Sequence, residues 1–287
     1  MNDGIPDLIQ RVACTGNEID LRQYPTRIEG IDGSKQQFRE LLNRLTALQR
    51  RLFIQGSQAL VIILQGMDTS GKDGIIRHVL RAFNPQGCRV YSFGPPNSEE
   101  IGHDFLWRTT RYLPQRGQIS VFNRSHYEEV LVVKVHPDLL TAEHVDAARV
   151  RDGSLWTERY EAIRAQERHL LASGTGIVKL MLHISSEEQA RRLLARLSNP
   201  AKNWKFKESD VEERHFWDDY LAAYSSCLSA TSTPAAPWHI LPADDKRTAR
   251  LLAAAIIVQA LEALDLAAQE VSPGRALELA AIRNRLK

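Results

Sequence analysis

The run Gly66-Met67-Asp68-Thr69-Ser70-Gly71-Lys72-Asp73 gathers residue types that handle phosphate. It meets the Gly-x4-Gly-Lys pattern of a Walker A phosphate loop, with Asp73 standing where the usual pattern has Ser or Thr. Lacking a Cβ, Gly66 and Gly71 let the backbone amides of the turn, including those of Met67, Thr69 and Ser70, curl around phosphate oxygens. A helix that starts at the same point adds its unpaired N–H groups and the positive end of its dipole. Lys72 supplies a mobile positive charge between transferring phosphates. Asp68 and Asp73 offer hard carboxylate oxygens to magnesium and partly replace the missing hydroxyl. The plainer reading is a strand that ends at Gly66 and a helix with Asp73 as a favourable first-turn acid. Strand, loop, lysine and helix in the required order favour phosphate.

A second constellation, Asn123-Arg124-Ser125-His126-Tyr127-Glu128-Glu129, follows another apolar run. Arg124 suits phosphate oxygens, while Asn123 and Glu128 suit metal-associated water or the orientation of a nucleotide phosphate. As a polar helix start, Asn123 or Ser125 would instead cap exposed amides. Arg108 and Arg111 are three apart in an expected helix, so both are expected to face one anionic surface, with Asp104 organising Arg108. Solvent-facing salt bridges explain that trio equally well. No Ser, His or Cys stands in a covalent constellation, which makes direct transfer simpler than a phosphoenzyme.

These groups need elements that bring loop ends together. Phe38, Leu41, Leu42, Leu45, Leu48 and Leu52 recur with helical spacing, and their stripe is expected to lie against a sheet. Short apolar or β-rich runs predict strands at 59–64, 89–93, 118–122, 176–184 and 238–241. Helices are expected at 73–83, 98–112, 156–171 and 187–197, with a long helical tail from about residue 244. Alternation of this kind predicts an α/β fold, a largely parallel five-stranded sheet flanked by helices. Residues 1–34 read as an irregular arm, 35–287 as a single domain, and the Ser- and Pro-rich stretch 225–237 as a connection.

Composition excludes several classes. With 37 Lys and Arg against 35 Asp and Glu, the formal charge of +2 lacks the basic excess of a dedicated nucleic-acid binder. Cys14, Cys88 and Cys227 are far apart and form neither a metal pattern nor a disulfide framework, which favours a reducing, cytoplasmic setting. No apolar stretch is long enough to span a bilayer, and the first ten residues are no export signal.

Three motifs occur in order: Leu64-Gln65-Gly66-Met67-Asp68-Thr69-Ser70-Gly71-Lys72-Asp73-Gly74, then Val121-Phe122-Asn123-Arg124-Ser125-His126-Tyr127-Glu128, then Trp204-Lys205-Phe206-Lys207 with Glu212-Glu213-Arg214 and Trp217-Asp218-Asp219-Tyr220. Together they resemble the polyphosphate kinase 2 family over about 36–250. The resemblance implies a P-loop kinase-like fold with a helical lid near 185–215, and magnesium-dependent, reversible phosphate transfer between inorganic polyphosphate and nucleotides. It gives Asp68 the role of metal-binding aspartate, Lys72 that of phosphate contact, and Arg124 that of a phosphate-site arginine. Many relatives carry Asp where this chain has Asn123, which removes one carboxylate from the metal site here. Glu128 looks like the form found in the subgroup that acts on nucleoside monophosphates and diphosphates.

The resemblance also places Arg191, Arg192, Arg196, Lys202 and Lys205 in or near the lid over the donor path. Distributed positive contacts suit a flexible phosphate polymer, although a solvated basic helix face gives the same pattern. Trp204 and Phe206 read as aromatic packing within the lid. The implied partners are polyphosphate, ADP/ATP, AMP and guanine nucleotides, with a homo-oligomer as the implied assembly. Two other functions fit the loop alone: an ATP-dependent kinase for a nucleotide or small metabolite, and a nucleotide-responsive binding protein.

Overall fold

The run 59–65 is apolar on both faces, and a strand buried on both faces belongs inside a sheet covered on both sides. In the computed structural model, which describes residues 4–14, 18–29, 35–143, 145–200, 203, 206, 208–267 and 273–286, this run is the central strand. The strands are β1 (Ala59–Gln65), β2 (Cys88–Ser92), β3 (Ile119–Asn123), β4 (Thr175–His183) and β5 (Trp238–Pro242). They form one parallel sheet in the order β2-β3-β1-β4-β5. The chain leaves β1 toward β2 and β3 on one side and later crosses to β4 and β5 on the other. That reversal opens a crevice at the carboxyl end of β1, where ligands of open α/β sheets bind. Leu64 pairs with Asn123 of β3 and with Leu180 of β4, so the 66–73 loop and the turn after β3 emerge side by side.

The helix Lys246–Glu262 is apolar on nearly every side, from Leu251 through Leu261. It lies on β4 and β5 and also carries the helix Lys35–Gln55. The stripe Leu41, Leu45, Leu48 and Leu52 is therefore buried mainly against a second helix, not directly against the sheet. An ion pair between Arg44 and Glu262 closes the rim of this contact.

Local chemistry revises several expected boundaries. The segment 98–112 forms two short helices, Ser98–Ile101 and Trp107–Thr110. Asn97 and Glu100 build a capping box for the first; Asp104 accepts from the Leu106 amide before the second and makes no organising contact to Arg108. Residues 225–231 belong to the helix Trp217–Thr231, which buries Leu221, Tyr224, Cys227 and Leu228; there Ser225, Ser226, Ser229 and Thr231 return their hydroxyls to carbonyls four residues back. The expected tail divides into Lys246–Glu262 and Pro273–Arg285. Within the arm, Ile5–Val12 is a helix that buries Leu8, Ile9 and Val12, and the Cys14 amide donates to the Trp238 carbonyl at 2.8 Å.

Arg108 and Arg111 do not share a surface, since Arg111 caps a helix only four residues long and swings away. Arg111 is half exposed, stacked over Trp107 and 3.6 Å from Glu99. Arg108 is buried, donating to the Gly94 carbonyl at 2.7 Å and standing 3.6 Å from Glu129. Arg159 lies at 3.6 Å from the other Glu129 oxygen. At that distance the two guanidiniums do not offset burial, which together with Glu143 pushes the Glu129 carboxyl up to about 7. Behind the sheet edge, fully buried Lys179 donates to Glu167 and to the Thr231 carbonyl, both at 2.7 Å, and Tyr127 donates to Glu167 at 2.7 Å.

Removing one partner of that buried pair strands the other charge, so Lys179→Met should cost about 3–5 kcal/mol in urea unfolding, and adding Glu167→Leu should recover most of it. A second expectation concerns pH. Folded Glu129 holds a proton that the unfolded chain has released between about 4.5 and 7, so this group makes stability fall as pH rises through that window. Glu129→Gln should flatten that part of the stability profile; an unchanged slope would contradict the assignment.

Candidate active site

The 66–73 loop is built from backbone geometry that few residues tolerate. Gly66 has φ 147°, and a Cβ there would come within 2.7 Å of the Leu182 carbonyl oxygen and 2.8 Å of Ser70 Oγ. Gly71, at φ 116°, caps the helix Lys72–His78. Thr69 takes φ 60°, a left-handed conformation that costs about 1–3 kcal/mol for a residue with a Cβ and clusters at functional sites. Lys72 is buried, and its Nζ donates back to the carbonyls of Gly66 at 2.5 Å and Met67 at 3.1 Å. Burial and the nearby Arg124 lower its pKa to about 8, against the pull of Asp68, Glu128 and Asp73. The hydroxyls of Thr69 and Ser70 are buried with no protein partner among the described residues.

The turn after β3 supplies the facing wall. Arg124 also adopts a left-handed φ of 64°, pinned by its amide's 3.0 Å bond to the Leu64 carbonyl. Its NH1 donates to Glu128 Oε2 at 2.8 Å, and its NH2 lies 3.8 Å from Asp68 Oδ1. Glu128 above all holds the Arg124 guanidinium firmly charged. Gln65, which ends β1, donates to the other Glu128 oxygen at 2.9 Å. Asn123 donates to Asp73 Oδ1 and to Ser92 Oγ, each at 3.3 Å. Asp68 and Asp73 are thus the acids of the loop. Among the described residues no group of three or more His, Cys, Asp or Glu could hold a metal. Such a donor set fits magnesium, which takes one or two protein carboxylates and completes its shell with water and substrate phosphate.

The helix Ser186–Leu197 crosses the loop from the other side. Arg196 reaches Asp68 Oδ2 at 3.3 Å and Asp210 at 3.6 Å. Arg192 is buried as a brace: NH1 donates to the carbonyls of Thr69 and Ser70, NH2 to those of Ala243 and Asp244, and Nε to Glu188. Arg191 is exposed and forked onto Glu188. Lys202, Trp204 and Lys205 lie outside the described residues; Phe206 is half-buried. A cavity of about 280 Å³ adjoins the loop, lined by Thr69, Ser70, Gly71 and Asp73 and by Arg77, Arg192, Arg196, Lys246 and Arg250.

The structure therefore brings Gly66 to Asp73, Asn123, Arg124, Glu128, Arg192 and Arg196 together, and leaves Arg108 and Arg111 outside this cluster. Gln65, Arg77, Lys246 and Arg250 went unread in the sequence. Helical spacing held a signal for three of them: Arg77 falls four residues after Asp73, and Arg250 four after Lys246, so each pair shares a helix face. Gln65 stood in the first motif with no role of its own, just past the expected strand 59–64.

Residues 30–269 match the family described as Polyphosphate kinase 2. The chain is 50% identical over 275 residues to an ADP-polyphosphate phosphotransferase of Rhodopseudomonas palustris, covering 94% of this chain and 95% of the relative. It is 42% identical over 250 residues to an AMP/ADP-polyphosphate phosphotransferase of Meiothermus ruber, covering 85% and 89%. Its fold matches the crystal structure of polyphosphate kinase 2 from Arthrobacter aurescens TC1 with a TM-score of 0.86 at 37% identity, over 99% of this chain and 98% of that one. With sequence and fold shared along nearly the whole length, the chain belongs to the polyphosphate kinase 2 family.

Proposed function

We propose that this protein transfers the terminal phosphate of inorganic polyphosphate to ADP and AMP, reversibly, in a P-loop site of a single domain spanning 35–287. Guanine nucleotides are further acceptors in this reading, a homo-oligomer is the working form, and the cytoplasm is the setting. The names of the similar proteins from Rhodopseudomonas palustris and Meiothermus ruber support polyphosphate as donor and ADP and AMP as acceptors. A GDP-polyphosphate phosphotransferase of Pseudomonas aeruginosa, 32% identical over 194 residues, supports the guanine extension.

The observation that carries the donor assignment is the charge of the cavity beside the loop. Arg77, Arg191, Arg192, Arg196, Lys246 and Arg250 line it from three helices. An ATP donor would lay its uncharged nucleoside there, whereas a polyphosphate tail carries negative charge at every unit. Arg196, on the helix Ser186–Leu197, then covers the donor path.

An oxygen of the acceptor's terminal phosphate attacks the end phosphorus of the polymer. One P–O bond forms, the bridging P–O bond breaks, and its electron pair leaves with the shortened chain. Lys72 and Arg124 face the transferring group and offset its spreading charge, while Gly66 to Gly71 hold its oxygens with backbone amides. Asp68, with Asp73, would hold magnesium, which when bound neutralises phosphate charge. Glu128 orients Arg124 and reads the acceptor's phosphate. Both sides of the exchange are phosphoanhydrides, so the reaction runs in either direction. His126 takes no part: burial and Lys179 lower its pKa to about 3, and its Nδ1 lies 3.2 Å from Thr109 Oγ1.

Purified protein given ADP, polyphosphate and magnesium, with no ATP, should make ATP over many turnovers. Lys72→Ala should lower that rate by roughly 10²- to 10³-fold, as for other lost transition-state donors, with unchanged circular dichroism. Phosphate transfer only from ATP would instead favour the metabolite kinase, and tight nucleotide binding without turnover the binding protein.

A further inference from the structure

Gln65 is an expensive residue for its place. It closes an otherwise apolar strand and is 0% exposed, so its amide is stripped of water along with its neighbours. Burying a primary amide is unfavourable unless hydrogen bonds replace the water it loses, and an apolar residue of the same shape would avoid the cost. One bond is made: Nε2 donates to Glu128 Oε1 at 2.9 Å. Oε1 is buried with no protein partner among the described residues, so the amide is not there to complete the core.

The bond lands on a carboxylate already gripped from its other side. Arg124 NH1 holds Glu128 Oε2 at 2.8 Å, so Gln65 and Arg124 between them fix both oxygens. Glu128 is the first residue of the helix Glu128–Val135 and retains side-chain rotation unless both oxygens are tied. Gln65 sits in the central strand, fixed by β3 and β4 on either side, and thus offers a rigid anchor.

We propose that Gln65 is a positioning residue that locks the Glu128 carboxylate against Arg124 and thereby sets the selectivity between nucleoside monophosphate and diphosphate acceptors. This rests on the reading of Glu128 given above. Without the Gln65 bond the carboxylate turns, and the guanidinium bonded to it follows. A monophosphate has a single phosphate to present, one unit nearer its nucleoside, and so tolerates a displaced Arg124 less than a diphosphate with its longer reach.

The test measures kcat and KM for AMP and ADP, with KM for polyphosphate as a reference, in Gln65→Leu, Gln65→Met, Glu128→Asn and the pair Gln65→Leu/Glu128→Asn. Gln65→Leu should lower the AMP:ADP ratio of kcat/KM by roughly ten- to a hundredfold, the worth of one hydrogen bond to a charged group. Any weakening of Arg124's hold on the transferring phosphate is common to both acceptors and cancels in that ratio. Gln65→Met, which keeps the length of the side chain, should give the same shift and supplies the answer should the leucine variant not fold. In the Glu128→Asn background, Gln65→Leu should shift the ratio no further. Equal losses for both acceptors, or a full effect of Gln65→Leu in that background, would overturn the inference. Unaltered selectivity in Glu128→Asn would overturn the reading of Glu128 itself; altered selectivity there with none in either Gln65 variant would sink the positioning role alone.

Discussion

A positive charge held out of water at the end of a hydrophobic strand is the interaction on which the site depends. An ammonium group with little access to solvent is costly unless other groups replace the water it has lost. Here the carbonyls of Gly66 and Met67 do so directly, and the carboxylates of Asp68, Asp73 and Glu128 do so through the field. These partners are what a phosphate anion would displace or reinforce. Gly66 follows from the same demand, since a side chain there would collide with the Leu182 carbonyl that backs the loop.

The other charges are arranged around that ammonium so that few stand alone. Arg124 is shared between Glu128 and Asp68, Asp68 between Arg124 and Arg196, and Arg196 between Asp68 and Asp210. This chain of exchangeable pairs joins the turn after β3, the loop and the lid helix. A polyanion entering beside the loop competes for the arginines, and a divalent cation competes for Asp68. Loading the site thus redistributes existing pairs instead of burying new unpaired charge, which keeps the electrostatic cost of binding low.

Much of this was legible in the sequence where a local rule acts alone. Burial of apolar runs gave β1, β3, β4 and β5, the β-rich run 89–93 gave the partly exposed edge strand β2, and Gly66, Gly71 and Lys72 gave the loop because their spacing is dictated by backbone geometry. Reading failed where tertiary partners decide. Glu100 and Trp107 lie within 98–112, but only packing against Glu129 sends Arg108 into the interior and leaves Arg111 stacked on Trp107 outside. The serines of 225–231 look like a linker until their hydroxyls are seen bonded into a helix. Arg192 reads as a lid cation, yet the loop and Ala243 surround its guanidinium and make it a brace. Gln65 gains meaning only from Glu128, brought beside it by the register of β1 and β3.

The central claim is that one phosphorus centre is received jointly by the 66–73 amides, Lys72 and Arg124. A crystal structure with magnesium and a short polyphosphate chain addresses it most directly. The end phosphate should lie within hydrogen-bond distance of Lys72 Nζ and the loop amides, about 2.7–3.2 Å, with the remaining units running past Arg77 and Arg250. A chain bound elsewhere on the sheet, with Lys72 still closed onto the Gly66 and Met67 carbonyls, would contradict it.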